Sequence, residues 1–252
     1  MKIIGIIPAR FASTRFPAKA LVDIDGKSMI RRVYEQAAQA SQLEKIVVAT
    51  DDERILSHVE GFGGMAVMTS PDHQSGTDRC FEALQRIDPS ADYVINIQGD
   101  EPFIHPGQID RLAEVLDGHT ELATLVKVIE DEETLFNPNA PKVVLTKQQQ
   151  VLYFSRHPIP YMRGLPEPDW LSKHTYYKHI GIYAYRTDIL TQITQLPVSS
   201  LEKAEALEQL RWLENGYTIK AVITPEDSHG VDTPEDLHRV ARKFLSGSSP
   251  SS

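Results

Sequence analysis

Short runs of β-branched residues alternate with amphipathic stretches through the first hundred residues, and this alternation most constrains the fold. Ile3 to Ile7, Lys45 to Thr50 and Tyr93 to Ile97 each read as a strand buried on both faces. Between them, Met29 to Ala40, Asp52 to Glu60 and Thr77 to Ile87 carry apolar residues at helical spacing. Strands separated by helices predict parallel βαβ units. In such sheets ligands bind beyond the carboxyl ends of the strands. The residues after Ile7, Thr50 and Ile97 are therefore where chemistry is expected.

The pattern changes after about residue 140. Lys142 to Phe154 reads as a hairpin, with Val143-Val144-Leu145 and Val151-Leu152-Tyr153 flanking a polar turn. Arg156 to Thr175 carries four prolines and reads as irregular, which in a segment this long marks function or an interface. Tyr176 to Tyr185 reads as a strand, and Leu201 to Asn215 as one helix closed by Gly216. Thr218 to Ile223 is a last strand. Thr233 to Leu245 is a last helix, with Thr233 as cap and Pro234 at its first position. The tail from Ser246 is small and polar and is expected to be disordered.

The chain of 252 residues suits one large α/β domain. Its net charge of -9 disfavours polyanions such as nucleic acid, so a small anion needs a locally basic pocket. One cysteine, Cys80, excludes an intrachain disulfide and suits a reducing compartment; it sits on an apolar helical face and reads as core. The apolar start is too short for a signal-peptide core, and no run is long enough to span a bilayer. A cytoplasmic protein is expected.

Pro8 to Lys19 follows the first strand and carries Arg10, Arg15 and Lys19. Two prolines argue against a helix there. Fixed cations at a strand end suit a triphosphate and its leaving pyrophosphate. The plain alternative is a solvated basic loop. Gln98-Gly99-Asp100-Glu101 follows the third strand, and a carboxylate beside a glycine suits Mg2+ at phosphates. Asp232, between a strand and a helix, is a second candidate ligand; alone, each also reads as a helix-start charge. In His73-Gln74-Ser75-Gly76-Thr77-Asp78-Arg79, Thr77 reads equally as a plain cap or as part of a base- or sugar-binding run.

Other motifs are excluded. Gly61-Phe62-Gly63-Gly64-Met65-Ala66 matches a dinucleotide fingerprint but follows a helix and precedes a strand, the reverse of what a phosphate turn requires. No G-x-x-x-x-G-K-S/T run, H-E-x-x-H run or paired C-x-x-C occurs.

Together these pieces resemble the CMP-sugar synthetase family. Pro8 to Leu21 fits its P-A-R-x-x-S-x-R-x-P-x-K-x-L signature. The runs His73 to Arg79, Asn96 to Pro102, His179 to Arg186, Leu201 to Arg211 and Gly230 to Leu237 resemble those of its 3-deoxy-manno-octulosonate (Kdo) branch. The resemblance spans residues 1 to about 245. It implies a Rossmann-like, GT-A-like nucleotidyltransferase fold with a mostly parallel sheet and a smaller dimerisation sub-domain. The CTP-binding core would cover about 1–140 and 215–245, and the sugar-binding and dimerisation part about 141–214. The implied reaction joins CTP and Kdo to give CMP-Kdo and pyrophosphate for lipopolysaccharide biosynthesis. 8-Amino-Kdo or sialic acid are alternative acceptors, since the loop after Arg156 departs from the commoner pattern.

By position, the resemblance implies that Pro8, Ala9, Arg10, Arg15, Lys19, Ser75, Gly76, Arg79 and Gln98 contact CTP. Asp100 and Asp232 would bind Mg2+, and with Lys19 and Arg10 would carry catalysis. Gln98, Arg156, His179, Tyr183, Glu208 and Gln209 would line the sugar pocket. A homodimer is implied, with no nucleic acid or membrane as partner.

Overall fold

The computed structural model describes residues 1–12 and 16–245. Arg15 and the tail from Ser246 lie outside the described residues. The chain divides into two units, Met1–Asp110 with Ser228–Ser252, and Arg111–Asp227.

The first unit holds β1 (Ile3–Ala9), a small hairpin of β2 (Asp23–Ile24) and β3 (Lys27–Ser28), β4 (Lys45–Thr50), β5 (Ala66–Met68) and β6 (Tyr93–Asn96). Four of these strands form a parallel sheet in the order β6-β1-β4-β5. Ile3, Ile4, Ile6 and Ile7 of β1 are all at most 4% exposed, so the central strand is apolar on both faces, as its sequence requires. The expected helices form as Met29–Ala37, Glu53–Gly61 and Gly76–Ile87. Their first turns are fixed by side-chain caps. The Ser28 hydroxyl accepts from Arg31 N–H, the Asp52 carboxylate from Arg54 N–H, and the Ser75 hydroxyl from Asp78 N–H. Thr77 is therefore not the cap of its helix; it is buried in the first turn. Cys80 is fully buried.

Helix Glu53–Gly61 ends at Gly63, whose φ of +84° carries the chain through the left-handed region into β5. The glycine-rich run is thus a helix stop, and the dinucleotide pattern in it is accidental. The last helix, Pro234–Leu245, has a reciprocal cap. The Thr233 hydroxyl accepts from Asp236 N–H at 3.2 Å, and the Asp236 carboxylate accepts from Thr233 N–H at 3.1 Å. Its apolar side packs Val240 and Leu237 with Val231, Ile24 and Met29.

The second unit contains β7 (Leu122–Val128), β8 (Lys142–Leu145), β9 (Val151–Ser155), β10 (Tyr177–Arg186) and β11 (Ile219–Ile223). The strands run in the order β11-β7-β10-β8-β9. Only β11 and β7 are parallel; β7 with β10, β10 with β8, and the β8–β9 hairpin are antiparallel. A bridge from Gln150 to Lys220 ties the hairpin turn back to β11.

Two expectations change here. The stretch after Arg156 is not wholly irregular, because a short helix at Trp170–Lys173 buries Trp170 against Leu135 and Tyr176. The stretch Leu201 to Asn215 is not one helix. It breaks into Ser200–Glu205 and Gln209–Glu214 at Ala206, which sits at φ +50°. The break is held by Arg211, whose guanidinium makes a two-point ion pair with Glu202 at 2.6 and 2.7 Å. A Cβ in the left-handed region is strained. Ala206→Gly is expected to raise unfolding free energy by about 1 kcal/mol in a urea titration.

Candidate active site

β1 places the first half of the site. Pro8 and Ala9 are its last two residues rather than loop, and Arg10 emerges beyond the sheet. Arg10 is exposed and meets no protein partner among the described residues. Ala18, at φ +56°, turns the chain into a short helical turn that begins with Lys19. The turn after β6 supplies the next part. A Cβ on Gly99 would lie 2.7 Å from the Pro8 carbonyl oxygen, so only glycine lets this turn lie against the end of β1.

Asp100 follows at once, and its carbonyl accepts from Val231 N–H at 2.9 Å. Ser228 donates to the buried Glu101 carboxylate at 2.6 Å. The segment carrying Asp232 is thus stitched to the segment carrying Asp100, and the last helix anchors it from the other side. Both carboxylates converge on the Lys19 ammonium, at 2.8 Å from Asp100 and 3.2 Å from Asp232. By sequence Lys19 suits phosphates and the aspartates a metal, whereas in the structure the three meet.

Beside this cluster lies a cavity of about 150 Å³, lined by Pro8, Ala9, Arg10, Ser75, Gly76, Arg79 and Gln98 together with His73 and Gln74. Seven residues singled out by sequence thus share one cavity. His73 and Gln74 belonged to the same motif but were not selected. The Glu82 carboxylate holds His73 through its Nε2. Burial pushes the Glu82 pKa up, but Ser70 N–H, His73 and Arg86 outweigh it and hold the group below its ordinary value. A cavity this size takes one end of a nucleotide rather than the whole molecule.

In the second unit, His179 and Tyr183 lie on β10, with ring centroids 5.1 Å apart across a bulge in its pairing with β7. Trp212, from helix Gln209–Glu214, meets Tyr183 edge-on at 5.1 Å, and Gln209 on the same helix is buried. Glu208 precedes that helix, close enough for its charge to act on Tyr183. Burial, then neighbouring Tyr185 and Glu208, push the Tyr183 hydroxyl well above its usual pKa.

His179 keeps some exposed surface but sits deep among protein atoms, and this burial pushes its pKa down to about 3. The imidazole is therefore neutral near pH 7 and brings no positive charge to an acidic ligand. Thr124 donates to the Ile182 carbonyl at 2.7 Å, so its oxygen is left to accept from His179 Nε2 at 3.0 Å. Nδ1 is then an acceptor. Arg156 is committed elsewhere: its guanidinium donates to the carbonyls of Glu205, Pro138 and Ala206. It braces the break at Ala206, and among the described residues no contact joins it to His179 or Tyr183.

A basic strand-end loop, a small polar cavity and two convergent carboxylates define a nucleotide-handling α/β enzyme. The cytidylyltransferase family matches residues 4–221, and the chain belongs to that family. It is 57% identical to a 3-deoxy-manno-octulosonate cytidylyltransferase of Cytophaga hutchinsonii, over 95% of this chain and 96% of that protein. It is 58% identical to the Parabacteroides distasonis protein of the same name, over 95% of this chain and 97% of the relative. A solved structure of CMP:2-keto-3-deoxy-manno-octonic acid synthetase complexed with CTP superposes with a TM-score of 0.91 at 43% identity, covering 98% of this chain and all of that one. The chain therefore has the nucleotidyltransferase fold expected of it.

The lowered pKa of His179 has a consequence for stability. Below the ordinary value of 6.5 the unfolded imidazole takes up a proton that the folded one refuses. Its contribution is therefore complete above about pH 6.5 and is lost as pH falls toward about 3. In urea titrations from pH 7 to 4, His179→Gln is expected to lose less stability than the parent chain. Parallel curves would contradict the assignment.

Proposed function

We infer that this chain transfers CMP from CTP to the anomeric hydroxyl of Kdo, releasing pyrophosphate. The observation that carries this reading is the meeting of Lys19, Asp100 and Asp232, with Gln98, two residues from Asp100, lining the adjoining cavity. The names of relatives close to 60% identical along nearly the whole chain support CTP and Kdo as substrates.

The anomeric oxygen forms a bond to the α-phosphorus, the bond from that phosphorus to the β-phosphate oxygen breaks, and its electron pair leaves with pyrophosphate. The hydroxyl proton passes to solvent. Such a transfer depends on positioning and charge stabilisation, with no protein nucleophile. Arg10, exposed and without a protein partner among the described residues, is proposed to meet phosphate oxygens, and Lys19 and Arg15 complete the set. Pro8, Ala9, Ser75, Gly76, Arg79 and Gln98, which line the cavity, are proposed for the rest of CTP. In the second unit His179, Tyr183, Glu208 and Gln209 are proposed for the sugar, with Arg156 supporting them through the Ala206 turn. A neutral His179 suits a sugar hydroxyl better than the Kdo carboxylate.

Mg2+ is proposed as the metal. The fit rests on the carboxylates of Asp100 and Asp232, which already converge on one cation, the Lys19 ammonium. No third acidic, histidine or cysteine ligand joins them among the described residues, which suits an ion that keeps waters and borrows phosphate oxygens. When bound, Mg2+ neutralises phosphate charge and lowers the pKa of the attacking hydroxyl.

We also propose a homodimer formed through the second unit, where Leu152 and Tyr161 are 57% and 71% exposed. Among the described residues no helix is long and apolar enough to cross a membrane. A cytoplasmic location is proposed.

Pyrophosphate release with CTP and Mg2+ is expected with Kdo in preference to 8-amino-Kdo and N-acetylneuraminate; release with N-acetylneuraminate alone would refute the Kdo assignment. Asp100→Asn is expected to lower kcat by roughly 100-fold or more with an unchanged circular dichroism spectrum. A near-normal kcat would remove Asp100 from the metal site.

A further inference from the structure

Arg79, in the first turn of helix Gly76–Ile87, lines the cavity yet is only 3% exposed. A buried guanidinium needs fixed partners, or its desolvation would expel it. Two residues outside every motif supply them. The Asp51 carboxylate, just past the end of β4, accepts from one terminal nitrogen at 2.8 Å. The Thr69 hydroxyl, just past the end of β5, accepts from the other at 2.6 Å. Thr69 is itself fixed: its hydroxyl donates to the Thr50 carbonyl at 3.0 Å, and its N–H donates to the same carbonyl at 2.7 Å. With its only proton given to Thr50, the hydroxyl oxygen can act toward Arg79 only as an acceptor. The fork is thus held at both terminal nitrogens by the ends of two parallel strands. Its other N–H groups meet no protein acceptor among the described residues.

We propose that Asp51 and Thr69 are positioning residues that hold Arg79 as a fixed donor edge in the cavity, and that this edge selects cytosine over uracil. This rests on the reading of the chain as a CTP-dependent transferase. A guanidinium offers only donors. Cytosine presents two adjacent acceptors, O2 and N3, which match a planar fork. Uracil presents a donor at N3, so the same fork meets an N–H and leaves a desolvated donor unpaired. Discrimination of this kind is large only when the protein group cannot turn away, because a mobile one relaxes toward water. The ion pair and the hydroxyl remove that freedom. Neither residue lies on the Lys19–Asp100–Asp232 cluster, so their loss is expected to act on nucleotide affinity and not on the transfer step.

The test is calorimetric titration of CTP and of UTP, without sugar, into the full chain and into Asp51→Asn, followed by steady-state pyrophosphate release. The parent chain is expected to bind CTP at least 100-fold more tightly than UTP. In Asp51→Asn the ratio is expected to fall at least tenfold, with a raised KM for CTP and kcat changed less than threefold. An unchanged ratio in a folded variant would overturn the proposal, as would a fall in kcat with KM unchanged. If Asp51→Asn does not fold, Thr69→Ser and Thr69→Val carry the test. Serine keeps the acceptor and is expected to retain the ratio, whereas valine loses it; equal ratios in the two would overturn the proposal. Failure of the parent chain to bind CTP would instead strike at the proposed function.

Discussion

The Lys19 ammonium, shared between Asp100 and Asp232, is the interaction on which the rest of the candidate site depends. Two carboxylates facing one point repel each other unless a cation lies between them. Lys19 supplies that cation from one segment, Asp100 from a second and Asp232 from a third. Each segment reaches the point by a different constraint. The left-handed Ala18 turns the chain into Lys19, the missing Cβ of Gly99 lets the Asp100 turn lie on Pro8, and the capped last helix anchors Asp232. The Val231 N–H to the Asp100 carbonyl then ties two of the segments directly.

The parallel sheet explains why these elements can meet. Side by side, β6, β1 and β4 all end in the same direction, so the residues after Asn96, Ala9 and Thr50 come out at one edge. Chemistry at that edge needs no strained strand, only short turns and suitable residues. The same edge supplies the bracing of Arg79, from Asp51 after β4 and Thr69 after β5. Arg10 and the Arg79 guanidinium are thus extensions of one layer of parallel strands.

Much of this was legible in the sequence. Lys45–Thr50 formed with the limits its β-branched run implied, and the cavity gathers residues from three motifs far apart in the chain. What was missed has physical reasons. β7, at Leu122–Val128, is almost wholly buried, and an apolar run without alternation does not distinguish strand from helix. The break at Ala206 carries no glycine or proline to announce it; the Glu202–Arg211 ion pair across it and the Glu205 and Ala206 carbonyls braced by Arg156 hold it instead. Arg156 reads in sequence as a free cation, and only contacts with residues about fifty positions away show it committed. The neutrality of His179 likewise follows from burial, which no spacing reveals. Asp51 and Thr69 match no motif, because their role is to brace another side chain.

Asp100 and Asp232, proposed as one cation site, both contact the Lys19 ammonium, which therefore competes with a metal for them. Thermal unfolding of Lys19→Met with and without millimolar Mg2+ tests it most directly, in the absence of nucleotide. The variant is expected to melt below the parent chain, and Mg2+ is expected to raise its melting temperature more than the parent's. Equal Mg2+ effects on the two proteins would contradict it, and the carboxylates would then have to be assigned separate roles.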